Sequence, residues 1–451
     1  MFDFFNNYTI NWNYFSLIAS HNFFYLLWFY FKNGGFIIFI FLLIWVISRI
    51  IIFRNEIKKE ASTPYVLLSI DVPKLNESGP EVTERLFAHL ANPFSGKTSF
   101  ISSSIFAQTR FSFELISRGG RIQFLVRTKE QFRDLVESAF YGEYPNAQIQ
   151  EIEDYTLEIP ERYPDPEYDI WGTEIVLYNK DVYPIRTYPV FEHSLSGEFR
   201  DPISNFFEVM SKIKDDEQIW FQILITYGGK SWVKRGEALV NKLIGKRADG
   251  SGGGGITGGL GDIITGGLSA LSTFVFESIF TDEKVGDKSS AHNKKEPPPS
   301  IMTYLSPGAK DTVTAIQKKI AKIGFKTKIR LLYVAKKENF YINRGITGML
   351  GALNQFNTLD LNGFKPDEVT KTQASPLSFF PDRLVRKRKN NIIKAYKERS
   401  FRRGTNGFIL NIEELATIYH FPVISVEAPL VKKTGSKRGE PPFALPTKDN
   451  F

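Results

Sequence analysis

Apolar and polar positions alternate with a period of two in two neighbouring stretches, Phe111, Phe113, Leu115 and then Ile122, Phe124, Val126, separated by Gly119 and Gly120. That period puts one set of side chains on one face of a sheet, and the glycine pair suits a tight turn, so the pattern predicts a β-hairpin. The period then changes on both sides. "PEVTERLFAHL" (80–90) carries Val82, Leu86 and Leu90 at helical spacing behind a proline. Phe132, Leu135, Val136, Ala139 and Phe140 repeat a helical face after a Thr128/Gln131 capping box. The apolar run "YVLLSIDV" precedes these elements and the weaker "AQIQEI" follows them. Over residues 60–160 the order is therefore β-α-β-β-α-β, which predicts a ferredoxin-like module.

Residues 169–356 predict a second α+β module, with "QIWFQILITYG" and "KIRLLYVA" as strands and a helix from Lys310 to Ile323. A repeat of the first module is open on this pattern. The module is interrupted at 246–300 by a glycine-rich, then proline-ended stretch that predicts a flexible insertion, within which Ile263 to Phe280 is a candidate amphipathic helix. Residues 357–451 predict a basic helix, a short capped helix at Asn411–Tyr419 with Asn411 and Glu414 as its capping box, and an extended tail.

The longest apolar pattern is elsewhere. "GGFIIFIFLLIWVISRIIIF" (34–53) has no polar group from Phe36 to Ile47, and about 18 apolar positions at a helical rise give roughly 27 Å, enough for a transmembrane helix. The segment 1–33 ahead of it predicts an aromatic interfacial stretch. Arg49, Arg54, Lys58 and Lys59 against Lys32 place the body on the cytoplasmic side of the membrane, in a single-pass arrangement. The fold class expected is α+β: an N-terminal transmembrane helix, one or two ferredoxin-like modules, and a basic helical C-terminal region.

Composition narrows the chemistry. The chain has 451 residues and no cysteine, which excludes disulfides, thiolate metal sites and cysteine nucleophiles. Its net charge is +8, a balance that favours anionic partners. The charge concentrates in "RLVRKRKNNIIKAYKERSFRR" (383–403), ten lysines and arginines against Glu398. Arg383, Arg386, Lys387, Arg388, Lys389, Lys394, Arg402 and Arg403 are the candidate anion-binding residues, for nucleic acid, anionic lipid or an acidic protein face.

Other motifs carry less. "ANPFSGKT" (91–98) meets the relaxed phosphate-loop spacing, but a helix-like segment precedes it and Pro93 restricts it, so Lys97 is read as a chance match. The five histidines, at 21, 89, 193, 292 and 420, lack metal-ligand spacing. No catalytic residue, cofactor or metal is expected. Glu151, Glu153 and Asp154 read as a solvated acidic face, and His420 as a cap in the last turn of its helix.

The stretches "LLSIDVPK", "FELISRGGRIQFLVRT", "YPNAQIQEIEDY", "FNTLDLNGFKP", "NIEELATIYHFPVISVEAPL" and "GEPPFALP" resemble a membrane-anchored bacterial family of unassigned activity, a domain of unknown function. That family is associated with conjugation and type IV secretion ATPases, as an amino-terminal or accessory module. In TraG-type coupling ATPases a segment similar to "EELATIYHFP" comes shortly before the nucleotide-binding domain; this sequence ends at Phe451 with no motor after it. The resemblance implies a non-enzymatic adaptor for a DNA- or protein-translocating ATPase encoded separately, with Leu415, Tyr419 and His420 as docking residues. The alternative is a membrane-tethered nucleic-acid-binding protein that acts without a motor. An oligomer is compatible with either.

Overall fold

The computed structural model describes residues 36–72, 79–91, 110–191, 201–244, 306–374 and 380–423; in the first helix it describes side chains at 40–52 and 54. The expected interfacial stretch (1–33), the insertion (246–300), Lys97 with most of "ANPFSGKT", and the tail after 423 lie outside the described residues.

The described residues form an α+β fold around one nine-stranded antiparallel sheet. Helix α1 (Phe36–Ser62) leads into β1 (Tyr65–Asp71), followed by α2 (Pro80–Leu90), β2 (Phe111–Arg118), β3 (Arg121–Lys129), α3 (Arg133–Glu143) and β4 (Gln148–Glu151). Here the β-α-β-β-α-β order read from the sequence is present, and the strands lie in the order β4-β1-β3-β2. Gly119 and Gly120 make the expected hairpin turn at φ +56° and +78°, where a side chain would be strained.

The second half runs β5 (Tyr168–Leu177), α4 (Ser204–Ser211), β6 (Glu217–Tyr227), α5 (Ser231–Leu243), α6 (Pro307–Ile320), β7 (Gly324–Lys336), α7 (Gly348–Asn354) and β8 (Phe364–Pro366). Without α5 and α6 its element order repeats the first half. Its strands, β6-β7-β5-β8, repeat the first-half order traced in the opposite direction. The halves meet through β2 and β6, the second strand of each, paired from Phe111↔Ile225 to Arg118↔Gln218. Helix α6 starts three residues earlier than expected because Ser306 caps it and Pro307 occupies its first turn.

The last described elements are α8 (Pro381–Lys397), β9 (Phe408–Asn411) and α9 (Ile412–Ile418). Residue 356 is no boundary in this fold: β8 pairs with β5, and β9 with β7. The period of two distributes each strand between two cores. Phe113, Leu115, Phe124, Val126, Phe221, Ile223, Leu331 and Tyr333 join α2, α3, α4, α7 and α9 on one face. Leu67, Ile116, Leu125, Trp220, Leu332 and Val334 face the other way, onto Tyr155, Ile159 and Tyr163 and onto Ile392, Ile393 and Tyr396 of α8.

Among the described residues no helix is long and apolar enough to cross a membrane. The span expected at 34–53 lies partly outside them, because side chains of α1 are described only at 40–52 and 54.

Candidate functional site

The basic run lies on α8. Pro381 occupies its first turn and Asp382 complements its N-terminal dipole, so the helix starts cleanly. Its C-terminal half buries Ile392, Ile393, Ala395 and Tyr396 against the sheet, while Arg383, Arg386 and Lys387 stand exposed on the N-terminal half.

The eight candidate anion-binding residues separate in the structure. Arg388 donates to the carbonyls of Lys371 (2.9 Å) and Gln373 (2.5 Å), and Lys389 pairs with Asp169 at 2.5 Å. Arg403 pairs with Glu398 at 2.7 Å, and Lys394 lies 3.9 Å from the same carboxylate. Arg402 is exposed but engaged. Arg383, Arg386 and Lys387 make no ion pair with the described residues. Positions i, i+3 and i+4 share a helix face, so these three cations form one small patch.

Its place along the sheet follows from the register. Asp169, which holds Lys389, lies opposite Ala335 of β7, and Ala335 lies opposite Glu217 of β6. That is the end of the sheet carrying the Arg118–Arg121 hairpin. Tyr65, where the chain enters from α1, pairs with Lys129 at the opposite end.

Under α8 a network of charges crosses both halves of the sheet. Glu114 of β2 is fully buried and accepts hydrogen bonds from Ser112 Oγ (2.6 Å), Tyr155 Oη (2.8 Å), Gln222 Nε2 (3.1 Å) and Arg399 Nε and Nη2 (2.9 and 3.1 Å). Arg399 also grips Asp154 through Nη1 and Nη2, at 2.5 and 3.1 Å. It sits at φ +47°, so the αL backbone costs some strain while it aims the fork at both carboxylates. Gln222 connects this cluster to a second one, accepting from Arg330 Nη1 at 3.1 Å. There Glu174 of β5 accepts from Arg330 Nε (3.0 Å) and from Thr405 N and Oγ1 (2.5 and 2.6 Å), with Lys328 Nζ at 3.7 Å.

Burial by itself would raise the Glu114 carboxyl, but the Arg399 charge and the bonds from Arg399, Ser112 and Tyr155 outweigh it and hold it below its ordinary value. Asp154 is likewise lowered, burial being outweighed by Arg399 and Thr156. Burial pushes Lys328 down to about 8 in spite of Glu174. Asp154 thus belongs to this network and not to the solvated acidic face expected at Glu151–Asp154; Glu151 and Glu153 are exposed. Glu114 and Arg330 went unread as a site. Their one local signal is a charge set among apolar strand residues, in "FSFELIS" and "KIRLLYV".

The docking expectation for Leu415, Tyr419 and His420 is corrected by their burial: all three have zero exposure and present no surface. Tyr419 lies among the rings of Phe87, Phe113, Phe124 and Phe421, at centroid distances of 5.1 to 6.5 Å. The ring of His420 contacts the Ala416 carbonyl through Nδ1 and Asp201 Oδ1 through Nε2, each at 2.7 Å, so it closes the end of α9 as a cap. Burial would raise Asp201, but the His420 charge and hydrogen bond and the amides of Ile203 and Val423 outweigh it and lower it. The capping box is present: Glu414 N donates to Asn411 Oδ1 (2.8 Å) and Asn411 N to Glu414 Oε2 (2.9 Å). Glu414 also forms a fully buried pair with Lys319 of α6 at 3.0 Å. Among the described residues no cluster of three or more histidine, aspartate or glutamate side chains is placed to hold a metal ion.

No curated protein matches the chain. The family described as a domain of unknown function, DUF8128, matches residues 54–434, which run from the end of α1 past α9. Over that length, most of the sequence, the chain belongs to the DUF8128 family.

Proposed function

We propose that this chain is a non-enzymatic, membrane-anchored adaptor that presents the exposed half of α8 to an acidic face of a translocation or secretion ATPase encoded separately. The observation that carries the reading is the division of the basic run. Most of its cations are engaged within the protein, whereas Arg383, Arg386 and Lys387 stand exposed on a helix whose other half is packed against the sheet. A patch on a helix already packed against the sheet suits docking, because no backbone order has to be gained on binding. The charged groups under α8 satisfy one another, which fits a scaffold better than a site prepared for acid–base chemistry.

Three features support the wider picture. The strand orders of the two halves suit a pair of ferredoxin-like modules. Helix α1 is 27 residues long and exposes apolar side chains at every position from Ile40 to Ile47, with Phe41 69% and Trp45 62% exposed. A stretch that is apolar all round suits lipid, and with Arg49, Arg54, Lys58 and Lys59 after it supports an anchor in the inner membrane and a cytoplasmic body. The resemblance to the accessory module of TraG-type ATPases supplies the class of partner. Because the cationic patch and the entry of α1 lie at opposite ends of the sheet, an acidic protein partner in the cytoplasm fits the patch better than the leaflet holding the anchor.

Affinity purification of the whole chain from solubilised membranes tests this. The parent is expected to recover an ATPase, and the Arg383→Gln/Arg386→Gln/Lys387→Gln variant to lose it while keeping the parent's circular dichroism. Equal recovery by both would end the proposal. Salt-dependent DNA binding lost in the same variant, with no ATPase recovered, would favour the motor-free nucleic-acid reading instead.

A further inference from the structure

Between α8, the Val369–Thr370 segment and the 403–406 loop the structure holds a cleft of ≈ 640 Å³. We propose that this cleft binds a small phosphorylated ligand of nucleotide size, with its anionic end held between Arg388 and Arg403. The volume falls in the range of small-molecule sites, roughly 300–1,000 Å³. Both guanidinium groups lining it have partners within the protein. Arg388 uses Nη1 on the carbonyls of Lys371 and Gln373, and Arg403 uses Nε on Glu398. Their remaining N–H groups have no acceptor among the described residues. The Arg388 fork, held by two carbonyls, can meet an anion without first being ordered, and the planar donors of both arginines match phosphate oxygens.

Glu174 also lines the cleft but does not oppose an anion. Its two oxygens accept from Arg330 and Thr405, and Lys328 lies 3.7 Å away, so two buried cations lie against one carboxylate. Gly404 permits this arrangement. At φ +87° its position disfavours any side chain, and a Cβ there would come within 2.3 Å of the Glu174 carboxylate. Ile392 and Ala395 add an apolar wall, and Asn391 and Asn406 contribute exposed amides. A charged end beside an apolar wall with amide donors and acceptors suits a phosphate ester carrying a planar ring.

Titration calorimetry on the whole chain in detergent tests the site, with AMP, inorganic phosphate and citrate as probes. AMP is expected to bind saturably, more tightly than phosphate or citrate. Arg403→Gln is expected to weaken AMP by about tenfold, the loss of one charge-assisted contact. The substitution leaves the backbone carbonyl that Lys328 and Arg330 use, so the fold is retained. Asn391→Leu, also at an exposed position, is expected to weaken AMP as well. Lys318→Gln, on the exposed face of α6, leaves binding unchanged. Absence of saturable AMP binding at millimolar concentration, citrate binding as tight as AMP, or equal losses from Lys318→Gln and Arg403→Gln would each overturn the proposal. None of these results depends on whether an ATPase is captured by Arg383, Arg386 and Lys387.

Discussion

Arg399→Met removes the cation of the Glu114 network while keeping an unbranched stem of similar reach. The carboxylate left behind has zero exposure, and the Arg399 side chain itself is only 3% exposed. Breaking a buried pair by deleting one partner costs about 3–5 kcal/mol, because the other charge stays desolvated and uncompensated. Ser112, Tyr155 and Gln222 continue to donate to Glu114, which places the cost at the lower end of that range. At about 1–2 °C per kcal/mol for a body of this size, the midpoint of thermal unfolding should fall by about 3–6 °C. Circular dichroism or differential scanning fluorimetry on the whole chain would measure it. Adding Glu114→Gln should recover part of the loss, since the buried charge is then gone from both sides. The deficit should also shrink in acid, where the orphaned Glu114 takes up a proton. A fall of less than about 2 °C, or a double variant worse than the sum of its parts, would refute the view that Arg399 compensates Glu114.

Tyr419 offers a contrast within one side chain. Its hydroxyl is buried without a hydrogen-bond partner, so Tyr419→Phe should be neutral or stabilising by urea titration, whereas Tyr419→Ala should cost about 3–5 kcal/mol through lost ring packing. Acid should destabilise the fold. Glu114, Asp154 and Asp201 are held below ordinary values of 4.5, 3.8 and 3.8, so the stability they contribute is complete above those values and is lost as pH falls through the lowered ones. Glu414, raised chiefly by burial, acts in the opposite sense and offsets part of that loss. Unfolding midpoints that rise between pH 5 and pH 3 would contradict this.

Local pattern was enough to read the strands of the first half, the hairpin at Gly119–Gly120 and the capping box at Asn411. Each depends on residues a few positions apart, where period and turn chemistry act directly. Repetition in the second half was harder to read. The positions that form a two-glycine turn between β2 and β3 are replaced, between β6 and β7, by α5, α6 and residues 245–305. The sites were less legible still. Glu114 and Arg399 stand 285 positions apart, and no local spacing announces that a lone strand carboxylate will meet a distant arginine. The apolar stripe of α8 was visible in the sequence, but its destination was not: Ile392, Ile393 and Tyr396 close the second face of the sheet. The helix carrying Tyr419 looked like a docking end because its apolar side was well defined, and that same side is what buries it in the core.

The seam between β2 and β6 has a consequence for how the halves can exist. Each half contributes its second strand as a bare edge, and the eight residue pairs of the seam join edges that would otherwise be open to any passing strand. Neither half is therefore a safe free-standing product. A nascent first half, released before β6 emerged, would offer β2 to a second nascent chain, and two such strands could zip together in the antiparallel sense the seam already uses. The fusion of the two halves in one polypeptide keeps the correct partner for β2 within the same molecule, which lowers the exposure of that edge to other chains.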